Sequence, residues 1–281
     1  MNNLINNIFP LLLSILPIDA MFAQDKSMNS IESLYAAENS FANMSKQQSM
    51  KKAFLANLTD STILFFKGEP VIGKPIYEKL PESDQQLFWW PTFGAISTDA
   101  TLGFTTGPFT WAKDKQSEPI AFGHYFTIWG KNKNNQWQVL LDVGINHAKP
   151  IDFKKEIVHS DFAKAHVQTK EDRRIALQIL IKSNDELAIK RKSDFDESIM
   201  ANDWYLCMRE GEVPIVNGRP TINLPLIELS TKAIRYSQDH SLAFSYGTAK
   251  TENTGIKYFF LKVWKFENGK WKLLVDLLGN N

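Results

Sequence analysis

Ile31, Leu34, Tyr35, Glu38, Phe41 and Ala42 recur at the three-and-four spacing of a helix with one inward face. A second, shorter helix is predicted over residues 49–57, and a strand over 61–66 runs into a turn at Gly68. Gly73-Lys-Pro75 begins another short helix, with proline suited to the first turn. Long strand-rich runs follow at 87–98, 101–111, 119–130 and 136–144. Then the plan starts again. A helix is predicted over 169–190 with Leu177, Leu180, Ile181 and Leu187 on one stripe, and strands near 204–208, 233–237, 242–250, 256–266 and 270–278. Helices followed by an antiparallel meander predict an α+β fold, with the helices on one face of each sheet.

The words repeat along with the plan. Gly68-Glu-Pro-Val-Ile-Gly-Lys-Pro75 returns as Gly211-Glu-Val-Pro-Ile-Val-Asn-Gly-Arg-Pro220, and Asp99-Ala-Thr-Leu-Gly-Phe-Thr-Thr-Gly107 as Asp239-His-Ser-Leu-Ala-Phe-Ser-Tyr-Gly247. Trp137-Gln-Val-Leu-Leu-Asp142 returns as Trp271-Lys-Leu-Leu-Val-Asp276. Order is kept, so two copies of one domain are expected, over 27–147 and 166–281, with a charged, partly helical linker at 148–165. A chain of 281 residues has room for both.

Tyr35-Ala-Ala-Glu38-Asn-Ser-Phe41 on the first helix, with Gly123-His-Tyr-Phe-Thr-Ile-Trp129 leading to Trp137-Gln-Val-Leu-Leu-Asp142, resembles the nuclear-transport-factor-2-like superfamily, in its SnoaL-like and ketosteroid-isomerase-like branch. The resemblance implies two cone-shaped domains, each a curved antiparallel sheet wrapped round a long N-terminal helix, with a pocket at the wide end. It implies no single activity: the superfamily holds isomerases, cyclases, dehydratases and non-catalytic binding or assembly modules.

The last hairpin of the second copy turns at Asn268-Gly269, the strongest short hairpin signal. Centring there pairs Phe266 with Trp271, Trp264 with Leu273 and Leu261 with Asp276. Carried to the first copy, the register sets Trp129 opposite Val139, Phe126 opposite Asp142 and His124 opposite Gly144. His124 and Asp142 then share a face as diagonal neighbours, about 7–8 Å apart. An imidazole oriented by a carboxylate is a candidate general acid/base; a structural hydrogen bond in a mixed core is the alternative. Asp142 recurs as Asp276, whereas His124 aligns with Phe259, so His124 is the distinctive group.

Glu38 falls on the inward stripe of its helix, where burial would raise its pKa. Proton transfer in a pocket and hydrogen bonding at the sheet are both open to it. Catalytic candidates are therefore His124, Asp142 and Glu38. The first copy is also longer than the second between Pro75 and Asp99 and between Gly107 and Trp129, and the added length carries Trp89, Trp90 and Trp111. Tryptophan-bearing loops flank binding sites, or pack between domains. With Tyr125 and Phe126 these three form the expected ligand-binding set, and the first copy is expected to hold the better pocket.

A net charge of +1 argues against a nucleic-acid partner. The single cysteine, Cys207, excludes an intrachain disulfide. Residues 8–18 form an apolar run too short to span a bilayer, with Ala20 and Ala23 behind it. Residues 1–23 thus read as a signal peptide, with an uncleaved membrane anchor as the alternative, and the mature protein as periplasmic or secreted, with no membrane span after cleavage. The histidines show no zinc spacing, and no phosphate loop or nucleophile elbow occurs, so neither metal nor cofactor is expected. The leading expectation is an exported tandem protein, folded as an intrachain pseudo-dimer, that binds a small, largely apolar organic molecule in its first domain. Its alternatives are an isomerase-, cyclase- or dehydratase-type enzyme using His124, and a non-catalytic assembly module.

Overall fold

The computed structural model describes residues 30–148, 158–159, 168–191, 196–221, 224–252 and 256–280. The expected leader at 1–23 and most of the expected linker lie outside them.

Helix α1 (Ile31–Gln47) starts at Ser30, whose hydroxyl accepts from Ser33 N at 3.3 Å. Its inward face is Leu34, Tyr35, Glu38, Phe41 and Ser45. Helix α2 (Met50–Asn57) is capped in the same way by Ser49. Strands β1 (Leu58–Phe66) and β2 (Glu69–Ile72) are joined by Lys67 and Gly68 at φ 52° and 74°. A side chain at Gly68 would also come within 2.6 Å of the Lys257 carbonyl, in the other half of the chain. Helix α3 (Lys74–Lys79), β3 (Gln86–Trp89), β4 (Phe93–Ile96), β5 (Leu102–Ala112), β6 (Ala121–Lys131) and β7 (Trp137–His147) follow. Within the expected linker, β8 (Val158–His159) is strand, laid parallel to β4. The first sheet runs β2-β1-β7-β6-β5-β4-β8, with β3 also on β5.

The second half opens with α4 (Lys170–Arg191). Its sheet comprises β9 (Leu206–Arg209), β10 (Ile215–Val216), β11 (Leu226–Tyr236), β12 (Leu242–Thr251), β13 (Lys257–Glu267) and β14 (Lys270–Gly279), in the order β10-β9-β14-β13-β12-β11. In each sheet one strand runs parallel to the second strand of the closing hairpin: β1 to β7, and β9 to β14. The α4 stripe departs from expectation. Leu177, Ile181, Asn184 and Ala188 face inward, while Leu187 is 41% exposed. At 100° per residue Leu187 lies a quarter turn off the line that Asn184 and Ala188 continue.

Both closing hairpins contain one extra residue. Trp129 pairs with Val139 as expected, but Ile128 pairs with Leu141, leaving Leu140 as a bulge. Trp264 pairs with Leu273 and Val263 with Val275, leaving Leu274. A bulge moves every later residue of its strand to the other face relative to the partner. Asp142 therefore stands opposite Thr127, Asp276 opposite Lys262, and His124 opposite Ile145. The expected pairings of Phe126 with Asp142, His124 with Gly144 and Leu261 with Asp276 are each displaced by one. His124 and Asp142 project from opposite sides of the ribbon.

The faces turned away from the helices meet in one apolar cluster. Phe126, Ile128, Leu141 and Val143 of the first sheet share it with Phe244, Phe259, Leu261 and Val275 of the second. Phe65 stacks on Phe259 at 4.3 Å and Phe93 on Trp204 at 3.4 Å. At one rim the hydrogen bonds are reciprocal: Thr98 N donates to Ser241 Oγ and Gln238 N to Thr101 Oγ1, both at 2.9 Å. Asp239 N donates to Asp99 Oδ2 at 2.7 Å, and the Thr98 hydroxyl donates to Asp239.

Candidate functional site

On the helix-bearing face of the first sheet lies a cavity of about 290 Å³. Its position follows from alternation. On β5, residues 107, 109 and 111 point one way; on β6, residues 123, 125 and 127; beyond the bulge on β7, residues 142, 144 and 146. Phe109, Trp111, Tyr125, Asp142, Gly144 and Asn146 accordingly line the space. Helices α1, α2 and α3 bring Phe41, Phe54 and Tyr77 over it, and Trp89 of β3 closes one side. The rings brace each other. Phe41 is edge-on to both Phe54 and Trp89, each at 4.9 Å, and Phe54 stacks on Tyr77 at 4.3 Å. Gly144 keeps the space open, since a Cβ there would already stand 3.1 Å from the Phe109 ring.

Two carboxyl groups serve this region differently. Glu38 is fully buried behind the wall. It accepts from Trp89 Nε1 at 2.5 Å, from Trp129 Nε1 at 3.1 Å and from the Thr105 hydroxyl. Burial raises its pKa, and these three donors work against the rise. Of the two roles open to Glu38, the contacts are those of a group that fixes two tryptophans. Asp142 is on the cavity wall itself, where Thr127 Oγ1 donates to its Oδ1 at 2.6 Å. Asp142 is half-buried. Burial pushes its carboxyl up to about 7, Thr127 opposes this, and the Glu38 charge adds to it. The Tyr125 hydroxyl is buried and raised well above the usual phenol value; Thr105 eases that shift without the geometry of a hydrogen bond.

The expected site residues thus separate. Asp142, Tyr125, Trp89 and Trp111 gather on the wall, and Glu38 stands directly behind Trp89. His124, Phe126 and Trp90 do not line it. Phe126 belongs to the core shared by the sheets. The Trp90 carbonyl closes on Gly107, where a Cβ would stand 2.0 Å from its oxygen. His124 is on the far face, its Nδ1 2.8 Å from His147 Nε2, while His147 Nδ1 lies 2.7 Å from the Ala148 carbonyl. A carbonyl only accepts, so His147 carries its proton on Nδ1 and takes the His124 proton at Nε2. Burial, then the neighbouring His147, pushes His124 down to about 3. Phe54, Tyr77 and Phe109 are wall residues that sequence reasoning missed. Phe54 and Tyr77 read as ordinary core positions of short helices. Phe109 had a signal: it lies two residues from Trp111 on one strand.

The second sheet treats the same register position otherwise. Asp276 accepts from Arg209 Nη2 at 2.7 Å and from Lys262 Nζ at 2.9 Å, and all three side chains are buried. Burial alone would raise the Asp276 carboxyl, but the two cations hold it down at about 2. Leu278, opposite Phe260, takes the place that Gly144 has opposite Tyr125. Among the described residues no group of three or more His, Cys, Asp or Glu is placed to hold a metal ion, and no helix is long and apolar enough to cross a membrane.

No protein-family model and no curated protein matches this chain. Solved structures similar to part of it include a function-unknown protein from Mycobacterium tuberculosis, at 13% identity and a TM-score of 0.34, covering 47% of this chain and 77% of that one. A ketosteroid isomerase-like protein from Erwinia carotovora atroseptica is similar at 16% identity and a TM-score of 0.32, over 42% of this chain and 96% of its own. A protein from Parabacteroides distasonis described as a "putative ketosteroid isomerase" is similar at 13% identity and a TM-score of 0.28, over 50% and 95%.

Proposed function

We propose that this chain is a tandem pair of nuclear-transport-factor-2-like domains, exported behind residues 1–23, whose first domain binds a small, largely apolar organic molecule. The second domain serves as the built-in partner of an intrachain pseudo-dimer. The tandem reading is supported by the repeated sequence blocks, the parallel placement of β1 and β9, and the same bulge at Leu140 and Leu274. The observation that carries the binding reading is the aromatic-walled cavity with one carboxyl group on its wall. Apolar concavities with few polar groups are the usual form of small-molecule sites. The test is thermal stabilisation by a library of aromatic compounds, for the native chain and for Gly144→Leu, which fills the cavity. Hits that stabilise only the native chain support the reading. A library without hits, or equal shifts in the variant, defeats it.

A proton-transfer enzyme is the second reading, favoured by Asp142. A wall carboxyl with a pKa of about 7 populates both forms at neutral pH. In this reading the acid/base role given to His124 from sequence passes to Asp142, and Tyr125 stabilises developing charge. Activity on carbonyl compounds that survives Asp142→Asn unchanged would defeat it.

A further inference from the structure

We infer that the molecule the cavity takes is an organic cation, an amine with an aromatic or similarly apolar body, whose positive group sits against the Asp142 carboxylate and the faces of the surrounding rings. The inference rests on the reading of the cavity as a ligand site and specifies its chemistry.

Three observations lead there. First, seven of the thirteen lining residues are aromatic, and none is Lys, Arg or His. Ring faces attract cations through their quadrupole, most strongly where water is excluded. Second, the charged group bearing on Asp142 is another carboxyl, Glu38. An anionic ligand would meet like charge wherever these carboxyls ionise, and a neutral one would bring no positive charge to balance an ionised Asp142. Third, the chain itself shows what satisfies a carboxylate at this register position. In the second sheet Lys262 sets its ammonium 2.9 Å from Asp276. In the first sheet Thr127 stands where Lys262 does and gives Asp142 a neutral hydroxyl in place of the ammonium, and no cation is among the groups that shift Asp142.

The two carboxyl groups also differ as this requires. With cations beside it Asp276 is held at about 2, and without them Asp142 is pushed up to about 7. A bound ammonium would draw Asp142 toward its ionised form. Below neutral pH, binding would therefore release a proton from the protein.

The experiment is titration calorimetry of the purified full chain at pH 6 with three probes of similar size: 2-phenylethylammonium, 2-phenylethanol and 3-phenylpropanoate. The ammonium is expected to bind about ten-fold or more tighter than the alcohol, as a desolvated cation–π and ion-pair contact implies, with the carboxylate weakest. Its heat should change with the ionisation enthalpy of the buffer, reporting the released proton. Asp142→Asn should remove the preference for the ammonium and keep the alcohol. Thr127→Lys, which supplies a cation from within as Lys262 does, should weaken the ammonium in the same way, so the test does not hang on one variant. Circular dichroism checks that both variants fold. Alcohol binding equal to ammonium binding, or a preference that persists in both variants, overturns the cation inference and leaves the cavity reading standing. Failure of all three probes to bind overturns both.

Discussion

Thr127 Oγ1 lies 2.6 Å from Asp142 Oδ1, at the register position where Lys262 Nζ lies 2.9 Å from Asp276 Oδ1. One exchange of residue type, a hydroxyl for an ammonium, gives two aspartates at equivalent places opposite electrostatic fates. Asp276 is a carboxylate locked between cations. Asp142 is a carboxyl group with a hydroxyl donor and no cation among the groups that shift it.

Asp276→Asn should therefore be severe. It leaves Arg209 and Lys262 buried without their counter-charge. Breaking a buried pair from one side costs about 3–5 kcal/mol. Urea denaturation should show a loss of that order, and a loss below 1 kcal/mol would mean the triad is not desolvated as described.

Asp142→Asn should act in the other direction, and only at higher pH. A carboxyl held at about 7 in the folded chain, against an ordinary value near 4 when unfolded, keeps its proton through that window. Its contribution to stability is complete below pH 4 and is lost as pH rises to 7. The variant escapes that loss. At pH 8 it should be more stable than the native chain by about 1–3 kcal/mol, with a smaller difference at pH 5. A constant difference across that range would contradict the assignment.

His124 titrates with the opposite sense. Its folded pKa of about 3 lies below the ordinary imidazole value, so the unfolded chain takes up a proton first as pH falls. Stability tied to this group is intact above pH 6.5 and is lost between 6.5 and 3, by at most about 1.4 kcal/mol per pH unit. The groups around it matter to the reading. His147 is its direct partner, and Glu210, half-buried and raised by its own burial, bears on His147. His124→Gln should flatten the acid limb of the stability profile between pH 6.5 and 4, where Asp142 works in the contrary direction. An unchanged limb would show that His124 is protonated in the folded chain.

Asp99→Ala tests the rim. Asp99 Oδ1 accepts from the Ser97 hydroxyl at 2.6 Å and from Thr101 N at 3.1 Å, and Oδ2 accepts from Asp239 N at 2.7 Å. At roughly 1 kcal/mol for each bond, a loss of about 2–3 kcal/mol is expected. An effect within 0.5 kcal/mol, the ordinary range of surface substitutions, would mean that the Asp99 bonds, one across the rim and the others within its own turn, add nothing to the packed faces.

The elements were legible because their signals are periodic. The Leu34, Glu38 and Phe41 stripe, the Asn268-Gly269 turn and most strand runs came through with small shifts of boundary, but the run expected over 87–98 is two strands, β3 and β4, and the strand expected near 233–237 starts at Leu226. Two of the added tryptophans, Trp89 and Trp111, lie on the wall of the aromatic cavity. The register was not legible. Leu140 and Leu274 look like any apolar strand residue, and because both hairpins bulge at the same place, comparing them gave no warning. That single slip turned Asp142 from His124 toward Thr127. Neighbouring residues on one strand, such as Tyr125 and Phe126, divide between faces by parity alone, so without the register both members of the pair enter the expected site.

The stacking of Phe65 on Phe259, and the cluster around it, has a consequence for handling this protein. Neither half owns that apolar surface; each supplies the other's cover. Produced by itself, the 27–147 fragment would carry a greasy slab into solvent and clump or pair with its own kind, whereas the two fragments made together in one cell should find each other and copurify without a covalent tie.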